Sequence, residues 1–204
     1  MSVLDRRSRF PASRPLKGGQ ADGDALSIVE SSATLVQVTA RKGRQADMSA
    51  VVAATLALDL PHSGRVAAAS GRMALWIQPG CWLIRAPQGE QDSLPASLKD
   101  SLKGIGAVVD QSHGRCLFEL RGVHAQAVLA RLCRLDLHDR AFPPGSSAVT
   151  FVGHVSCQLY RTGGAVPSFG LIVGSTFAEW LLDQLNAAAA SHGWTFSPSQ
   201  GAAA

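Results

Sequence analysis

Hydrophobic and polar residues alternate along several short stretches of the chain, with the period of two that is typical of β-strands. Residues 34–42 (TLVQVTARK) follow this pattern, and residues 73–86 (MALWIQPGCWLIRA) predict two strands around a Pro-Gly turn. The same reasoning predicts further strands with the sequences IGAVVD, RCLFEL, AVTFV, HVSCQLYR and SFGLIV. Most of these strands follow one another closely, so we expect them to pair in antiparallel fashion.

Apolar residues recur every three or four positions in three stretches between these strands, and this period predicts helices. The stretches are SLPASLKDSLK, HAQAVLARLCRL and a last helix that begins at Thr176, with Glu179 completing a capping box. Strand pairs therefore stand between helices, without a strict alternation of strand and helix. This order predicts an α+β fold with a mainly antiparallel sheet and packed helices.

The predicted hairpin over residues 73–86 is apolar on both sides. Tight pairing across its turn places four apolar side chains on one face, namely Leu75, Ile77, Trp82 and Ile84. Trp76 and Leu83 then occupy the other face. A sheet that is apolar on both faces must be covered twice, by the chain's own helices or by another protein. Because aromatic anchors commonly dominate protein contacts, Trp76, Leu83 and Trp180 are the predicted interface residues.

Composition sets the extent of the folded part. Of the 204 residues, 46% are hydrophobic and only 17% are charged, which indicates a globular chain with a substantial core. Residues 1–27 are rich in Pro, Gly, Arg and Ser and predict a disordered basic tail, while residues 197–204 predict a flexible one. Residues 28–196 are expected to form a single α+β domain, or two small lobes that share a core.

The charge of the chain is concentrated at its start. The net charge of +4 comes largely from arginines in the first residues, so the body is close to balanced and predicts no nucleic-acid partner. The basic run at 41–45 (RKGRQ) is interpreted as a solvated loop. No apolar stretch is long enough to span a membrane, and the four scattered cysteines contain no CxxC pair. These features predict a reduced, cytoplasmic protein.

Residues 107–122 (AVVDQSHGRCLFELRG) carry the residue types of a nucleophilic triad in Asp110, Ser112 and His113. A triad needs side chains from separate segments that converge on one point, and residues this close at a strand end usually point apart. We therefore interpret the stretch as a turn in which Asp110 and Ser112 bond nearby backbone amides. No catalytic residue is predicted.

Two HxxC pairs, His113 with Cys116 and His154 with Cys157, raise the alternative of a zinc site. The second pair lies in a predicted strand, where positions three apart face opposite sides, so no metal site is predicted. No glycine-rich nucleotide-binding motif is present in the sequence. The residues by themselves thus indicate a globular domain without a visible catalytic constellation.

From about residue 73 to 190, the order and spacing of several motifs resemble a known family. These motifs are WIQPGCWLI, VVDQSHGRCLFELRGVHAQAVLARLCRLDL, FPPGS, GHVSCQLYR and STFAEWLLDQL. Together they resemble the gamma subunit of heterotetrameric sarcosine oxidase. That family is similar to the N-terminal part of the folate-binding aminomethyltransferases of the glycine-cleavage T-protein class, so the resemblance implies the same fold.

The resemblance implies a place in a complex with alpha, beta and delta subunits, and mainly a contact with alpha. The other subunits of such a complex hold FAD, FMN, NAD and tetrahydrofolate, and this chain is expected to bind no cofactor. The complex oxidises the N-methyl group of sarcosine, which yields glycine, hydrogen peroxide and formaldehyde or 5,10-methylenetetrahydrofolate. The chain itself is then an accessory, non-catalytic subunit.

The chain departs from the wider folate-binding class at its glycine corner, G-x-D-A, because His124 replaces the acidic residue. Gly153 and Arg161 fall where that class has a later glycine and a strand-terminal arginine. The alternative reading is a free-standing folate-binding one-carbon protein with a pocket around Asp110, Arg115 and Arg161. Arginine suits a folate carboxylate because its guanidinium bonds in bidentate fashion.

Overall fold

A computed structural model describes Phe10, Lys17–Gly18 and residues 26–198 of the chain. The strands are β1 (Lys17–Gly18), β2 (Leu26–Ser31), β3 (Thr34–Ala40), β4 (Val66–Ala69), β5 (Arg72–Gln78), β6 (Cys81–Ala86), β7 (Gly106–Asp110), β8 (Arg115–Arg121), β9 (Ser147–Val152), β10 (Val155–Thr162), β11 (Ser168–Gly174) and β12 (Trp194–Ser197). The helices are α1 (Gln45–Leu56), α2 (Ser93–Ser101), α3 (Ala125–Ala130) and α4 (Ala178–Ala189), with short 3-10 helices at Gln88–Glu90 and Ser175–Phe177. They belong to two units.

The first unit contains a seven-stranded sheet in the order β1-β12-β2-β8-β11-β10-β9. Its hairpin β10–β11 and its pair β2–β8 are antiparallel, whereas β12 runs parallel to β2. Strand β8 contributes buried Phe118 and Leu120, and helix α4 buries Leu181, Leu182 and Leu185. The spacing of these three leucines gives α4 one apolar side, which is the pattern of an amphipathic helix.

The second unit contains a five-stranded antiparallel sheet in the order β4-β5-β6-β3-β7. One face of this sheet packs into a core with α1 and α2. Helix α1 contributes Met48, Val52 and Leu56, each four residues from the next, and α2 adds a second stripe made of Leu94, Leu98 and Leu102. The predicted α+β fold with a mainly antiparallel sheet arrangement is confirmed.

The hairpin β5–β6 shows that the predicted distribution of its side chains is wrong. Gln78 pairs with Cys81, but the next pair is Trp76 with Trp82, because the register shifts between Trp76 and Gln78. The extra residue is a bulge. It moves the side chains of the β5 residues that precede it, 72–76, to the opposite face from the one that tight pairing predicts. Trp76 therefore joins Trp82 in the core, and Leu75 pairs with Leu83 on the other face.

Three helices differ from the prediction. Helix α1 is absent from the three predicted helices, although its stripe of buried residues has helical spacing. Helix α3 ends at Ala130, well before the end of the predicted segment. Helix α4 begins at Ala178, since Ser175–Phe177 form a 3-10 turn, and no side chain caps it. The predicted capping box at Thr176 is therefore wrong.

Part of the predicted N-terminal tail is described and is folded. The Phe10 ring is buried with its centroid 5.2 Å from that of Phe196, and β1 pairs with β12. Ser197 of the predicted C-terminal tail lies in β12. The other residues of both predicted tails, apart from 26–27 and Pro198, lie outside the described residues, and the limits 28–196 stay a prediction. Within the described part of the chain, no helix combines the length and apolarity needed to cross a membrane.

Candidate functional site

The turn that follows β7 holds the residues of the triad pattern. The Ser112 amide donates a hydrogen bond of 2.9 Å to Asp110 Oδ1, and the Ser112 hydroxyl accepts one of 3.0 Å from the Leu35 amide. The Gln111 amide donates to the Leu35 carbonyl at 2.7 Å. Ser112 is buried, while His113 is exposed. The predicted turn bond is confirmed for Asp110, while the enclosed Ser112 hydroxyl instead anchors the turn to Leu35 of β3, 77 residues away in the chain.

Arg161 lies near the end of β10 and is only 6% exposed. Its Nη1 donates to the Phe142 carbonyl at 2.9 Å and pairs with Asp139 Oδ1 at 2.7 Å. The guanidinium carbon lies 5.4 Å from the ring centroid of Phe169, its partner across the hairpin, which is the distance of a cation–π contact. Arg161 therefore ties the loop that contains Asp139 and Phe142 to the sheet.

This geometry does not fit a folate pocket at Arg161. The guanidinium is engaged inside the chain, and its Nε is enclosed without a hydrogen-bond partner among the described residues. A bidentate carboxylate needs two guanidinium N–H groups that it can reach. The other two predicted pocket residues, Asp110 and Arg115, lie at the end of β7 and at the start of β8. Asp110 is exposed and already accepts the Ser112 amide.

The glycine corner before α3 has His124 at the position of the acidic residue, and His124 pairs with His192. Gly122 has a φ of +146°, a conformation that favours glycine, and its amide donates to the Pro167 carbonyl at 3.1 Å. His124 immediately precedes α3. Its ring stacks on that of His192, with a centroid distance of 4.2 Å and an interplanar angle of 17°. The corner thus connects the start of α3 to the residues that follow α4.

The surroundings of His192 are basic. Burial, followed by the neighbouring charges of His124 and Arg131, lowers the pKa of His192 from its usual value of 6.5. The Nε2 of His192 is enclosed and has no partner among the described residues. Arg131 Nη1 donates to the Ala188 carbonyl at 2.8 Å and to the Ser191 hydroxyl at 3.1 Å. The neutral form of the His192 imidazole is therefore favoured.

Gly153 and Trp180 hold the β9–β10 hairpin against α4. Gly153 has a φ of +62°, and a Cβ atom at this position would lie 2.7 Å from Cη2 of Trp180. Only glycine fits both the conformation and this close approach. Trp180 also contacts the ring of His154 at a centroid distance of 6.1 Å. The predicted interface residue Trp180 thus has a packing role inside the chain.

The two other predicted interface residues also pack within the chain. Leu83 is 3% exposed, and Trp76 packs against the core of the second unit. A partner protein has no access to a side chain as buried as Leu83 unless the chain rearranges. The apolar second face of the hairpin is therefore buried in the chain as described.

Five large apolar side chains are exposed among the described residues, and two of them lie together on β9, the other three being Val109, Val123 and Phe177. This strand is the last in the order of its sheet, with Val149 and Phe151 exposed to 48% and 64%. The two side chains lie two residues apart, so they share one face. The strand has the sequence SAVTFV, without the charged or proline residues that usually protect a sheet edge. The apolar alternation was visible in the sequence, but its position at the edge was not.

The thiols and histidines form no candidate metal centre within the described residues. All four cysteines are free and buried. Among residues 26–198 and the few described before them, no three His, Cys, Asp or Glu side chains are close enough to share a metal ion. The thiols instead make local contacts, such as that of Cys116 Sγ with Glu30 Oε1 at 3.6 Å.

Solved structures share this fold. Aminomethyltransferase T of the glycine cleavage system from Bartonella henselae matches 85% of this chain and 48% of its own, with 17% identity and a TM-score of 0.62. A chain of heterotetrameric sarcosine oxidase from Corynebacterium sp. U-96, in complex with pyrrole 2-carboxylate, matches 84% of this chain and 88% of its own, with 29% identity and a TM-score of 0.72. The chain thus has the fold that these two kinds of protein share.

Sequence comparison gives the family. Residues 42–191 match the model of the sarcosine oxidase, gamma subunit family. Sarcosine oxidase subunit gamma from Arthrobacter sp is 36% identical over 143 residues, which cover 67% of this chain and 68% of the relative. The corresponding subunit from Corynebacterium sp. (strain P-1) is 33% identical over 145 residues, covering 67% and 69%. The chain belongs to the sarcosine oxidase gamma subunit family, which confirms the resemblance found in its motifs.

Proposed function

We propose that this chain is the accessory gamma subunit of a heterotetrameric sarcosine oxidase and packs mainly on the alpha subunit. The observation that carries the proposal is the family match over residues 42–191. The site geometry supports a non-catalytic role, because the candidate nucleophile and the candidate ligand-binding arginine both form hydrogen bonds within the chain. The Ser112 hydroxyl holds a turn, and Arg161 holds a loop.

The complex would carry out the oxidative demethylation of sarcosine, a reaction at the CH–NH group with oxygen as acceptor. Its products would be glycine, hydrogen peroxide and formaldehyde or 5,10-methylenetetrahydrofolate. FAD, FMN, NAD and tetrahydrofolate would be held by the alpha, beta and delta subunits, and none by this chain. We place the complex in the cytoplasm, without a nucleic-acid or membrane partner.

Val149 and Phe151 are the proposed contact residues on this chain. They are exposed, whereas Leu83 of the sequence prediction is buried, and Trp76 and Trp180 are half-buried and pack within the chain. Both ends of β9 are already paired, since Val152 forms a bridge with Cys133 and the Ser147 amide donates to the Gly64 carbonyl. The exposed apolar side chains of Val149 and Phe151 are therefore the groups that favour a protein partner over a small ligand.

The proposal is tested by affinity purification of the full-length tagged chain from its native cell. We expect it to bring down a large and a medium flavoprotein subunit, identified by mass spectrometry, in a yellow eluate with flavin absorption. The tag alone, expressed in the same cell, is the control. A colourless eluate without oxidase subunits contradicts the proposal.

A free-standing folate-binding protein is the second candidate, and the shared fold with aminomethyltransferase T is what favours it. The bonds of Arg161 with Phe142 and Asp139 argue against the folate candidate, because they occupy its guanidinium. Calorimetric titration of the isolated chain with tetrahydrofolate separates the two candidates. Heat of binding that disappears in an Arg115→Ala variant would support the folate candidate, and no heat at high concentration would remove it.

A further inference from the structure

Three loops of the second unit meet at one end of its sheet. The Arg41 amide donates to the Ile105 carbonyl at 2.9 Å, which joins the loop before α1 to the loop between α2 and β7. The Ala40 amide donates to the Gly80 carbonyl at 2.8 Å, which adds the turn of the β5–β6 hairpin. The backbone therefore holds two basic segments of the sequence, 41–44 and 99–103, near each other.

This end of the sheet is rich in exposed cations, which we call the basic patch: Arg41, Lys42, Arg44, Lys99 and Lys103. Only Asp47 and Asp100 are acidic within residues 41–47 and 99–105, and Asp47 already pairs with Arg44. Arg41, Lys42 and Lys103 form no ion pair with any residue that the structure describes. Five cations thus stand against two carboxylates in these segments, which leaves the patch with a net positive charge.

Three of the five patch cations lie at the start of a helix. Helix α1 begins at Gln45, directly after Arg41, Lys42 and Arg44, and no side chain caps its first turn. The start of a helix carries a partial positive charge, so cations there are destabilising and anions are stabilising. Asp47 in the first turn of α1 offsets part of this positive charge, and an acidic group from outside the chain would offset the rest. Charge complementarity therefore points to an acidic partner.

We propose that the basic patch docks an acidic segment of another subunit of the oxidase complex, an inference that rests on the proposed function. The chemistry favours an acidic peptide over RNA, because residues 41–47 and 99–105 contain no aromatic side chain on which a base would stack. It also favours a peptide over a free phosphate, since the cations are exposed on separate loops and form no enclosed cradle.

The test compares two double charge reversals in the full-length chain. Arg41→Glu with Lys103→Glu changes one cation from each loop of the patch. Arg134→Glu with Arg140→Glu changes two exposed arginines of the first unit and is matched in charge. Binding of each chain to the purified remaining oxidase subunits is measured at about 0.05 M and about 0.3 M salt. Thermal unfolding of each variant confirms that it is folded.

We expect the patch reversal to weaken binding about tenfold at the lower salt concentration and to abolish the salt dependence that the natural chain shows. The control reversal is expected to bind like the natural chain. The affinity of a neutral variant, Arg41→Gln with Lys103→Gln, should fall between those of the two reversals. Such a result would show that losing the positive charge weakens binding without any repulsion from glutamate.

The outcomes separate this inference from the proposed function. If the natural chain binds no oxidase subunit, the proposed function fails together with the patch. If the natural chain binds and the patch reversal binds equally well, only the docking inference is overturned. Salt-dependent binding of RNA by the natural chain, lost in the patch reversal, would also overturn it, because the patch would then serve a nucleic acid.

Discussion

The hairpin β5–β6 and the edge strand β9 have similar apolar sequences and opposite environments. The hairpin carries the buried Trp82 and Leu83 and the half-buried Trp76, whereas β9 presents Val149 and Phe151 to solvent. The difference comes from the position of each strand in its sheet. Strands β5 and β6 lie between other strands, while β9 lies at the end of the order. Apolar content alone therefore does not identify an interface.

The largest expected effect is a loss of stability in the β5–β6 hairpin. Replacing Leu83 by Ala removes a side chain that is buried, so we expect the free energy of unfolding to fall by about 2–5 kcal/mol. The matched change Phe151→Ala on β9 should alter it by at most about 0.5 kcal/mol. Urea denaturation of both variants measures the contrast. Equal losses for the two variants would contradict the assignment of β9 as an exposed edge.

The next effect tests the β9 side through binding. Phe151→Ala should weaken association with the oxidase subunits by about 2 kcal/mol, or about thirtyfold in Kd, because exposed aromatic side chains are typical anchors of an interface. The exposed Val123→Ala change, away from β9, is the control. Titration calorimetry with the remaining subunits measures both. An unchanged Kd for Phe151→Ala would place the interface on another surface.

A smaller effect concerns the connection that leads out of β9. Gly153→Ala should lower the free energy of unfolding by about 1–3 kcal/mol, since the residue has a positive φ and its new methyl group meets Trp180. Gly145→Ala is the matched control, because Gly145 also has a positive φ, of +82°, but has no atom within 4 Å of the added carbon. A greater loss for Gly153 than for Gly145, measured by urea denaturation, isolates the contribution of the contact.

The smallest effect is a pH dependence at the histidine pair. The pKa of His192 is lowered in the folded chain, so the unfolded chain binds this proton more strongly. Above about pH 6.5, His192 is neutral in both states and its titration leaves the free energy of unfolding unchanged. As the pH falls from there through the folded pKa, protonation of the unfolded chain lowers the free energy of unfolding increasingly. We expect His192→Gln to unfold with a weaker acid dependence than the natural chain. The exposed His62→Gln change serves as the control, and identical profiles for both variants would refute the role of the pair.

Local patterns were sufficient for most strands and insufficient for two details of the second unit. The strand at Thr34–Ala40 and the two strands of the hairpin were predicted near their observed limits. Helix α1 was missed because its alanine-rich surface hid the stripe of Met48, Val52 and Leu56. The predicted face of Trp76 was wrong because side chains alternate between the two faces of a strand, so one bulged residue exchanges the faces of all residues beyond it.

The candidate site shows a similar division. The turn at Asp110 and Ser112 was predictable, since short polar side chains bond nearby amides wherever the backbone turns. The engagement of Arg161 by Asp139 and Phe142 was not, because these partners lie 19 or more residues away in the chain. Long-range contacts of this kind leave no local pattern of residues.

The sequence by itself determined the α+β class, the family and eight of the twelve described strands, all but β1, β2, β4 and β12, because alternation, spacing and motif order are properties of neighbouring residues. Only the tertiary structure decided which apolar residues remain exposed and which polar groups are already occupied. Exposure depends on the position of a strand within its sheet, and hydrogen bonding depends on partners distant in the chain. For that reason Leu83 is a core residue and Phe151 is a surface residue, although both occupy apolar strands.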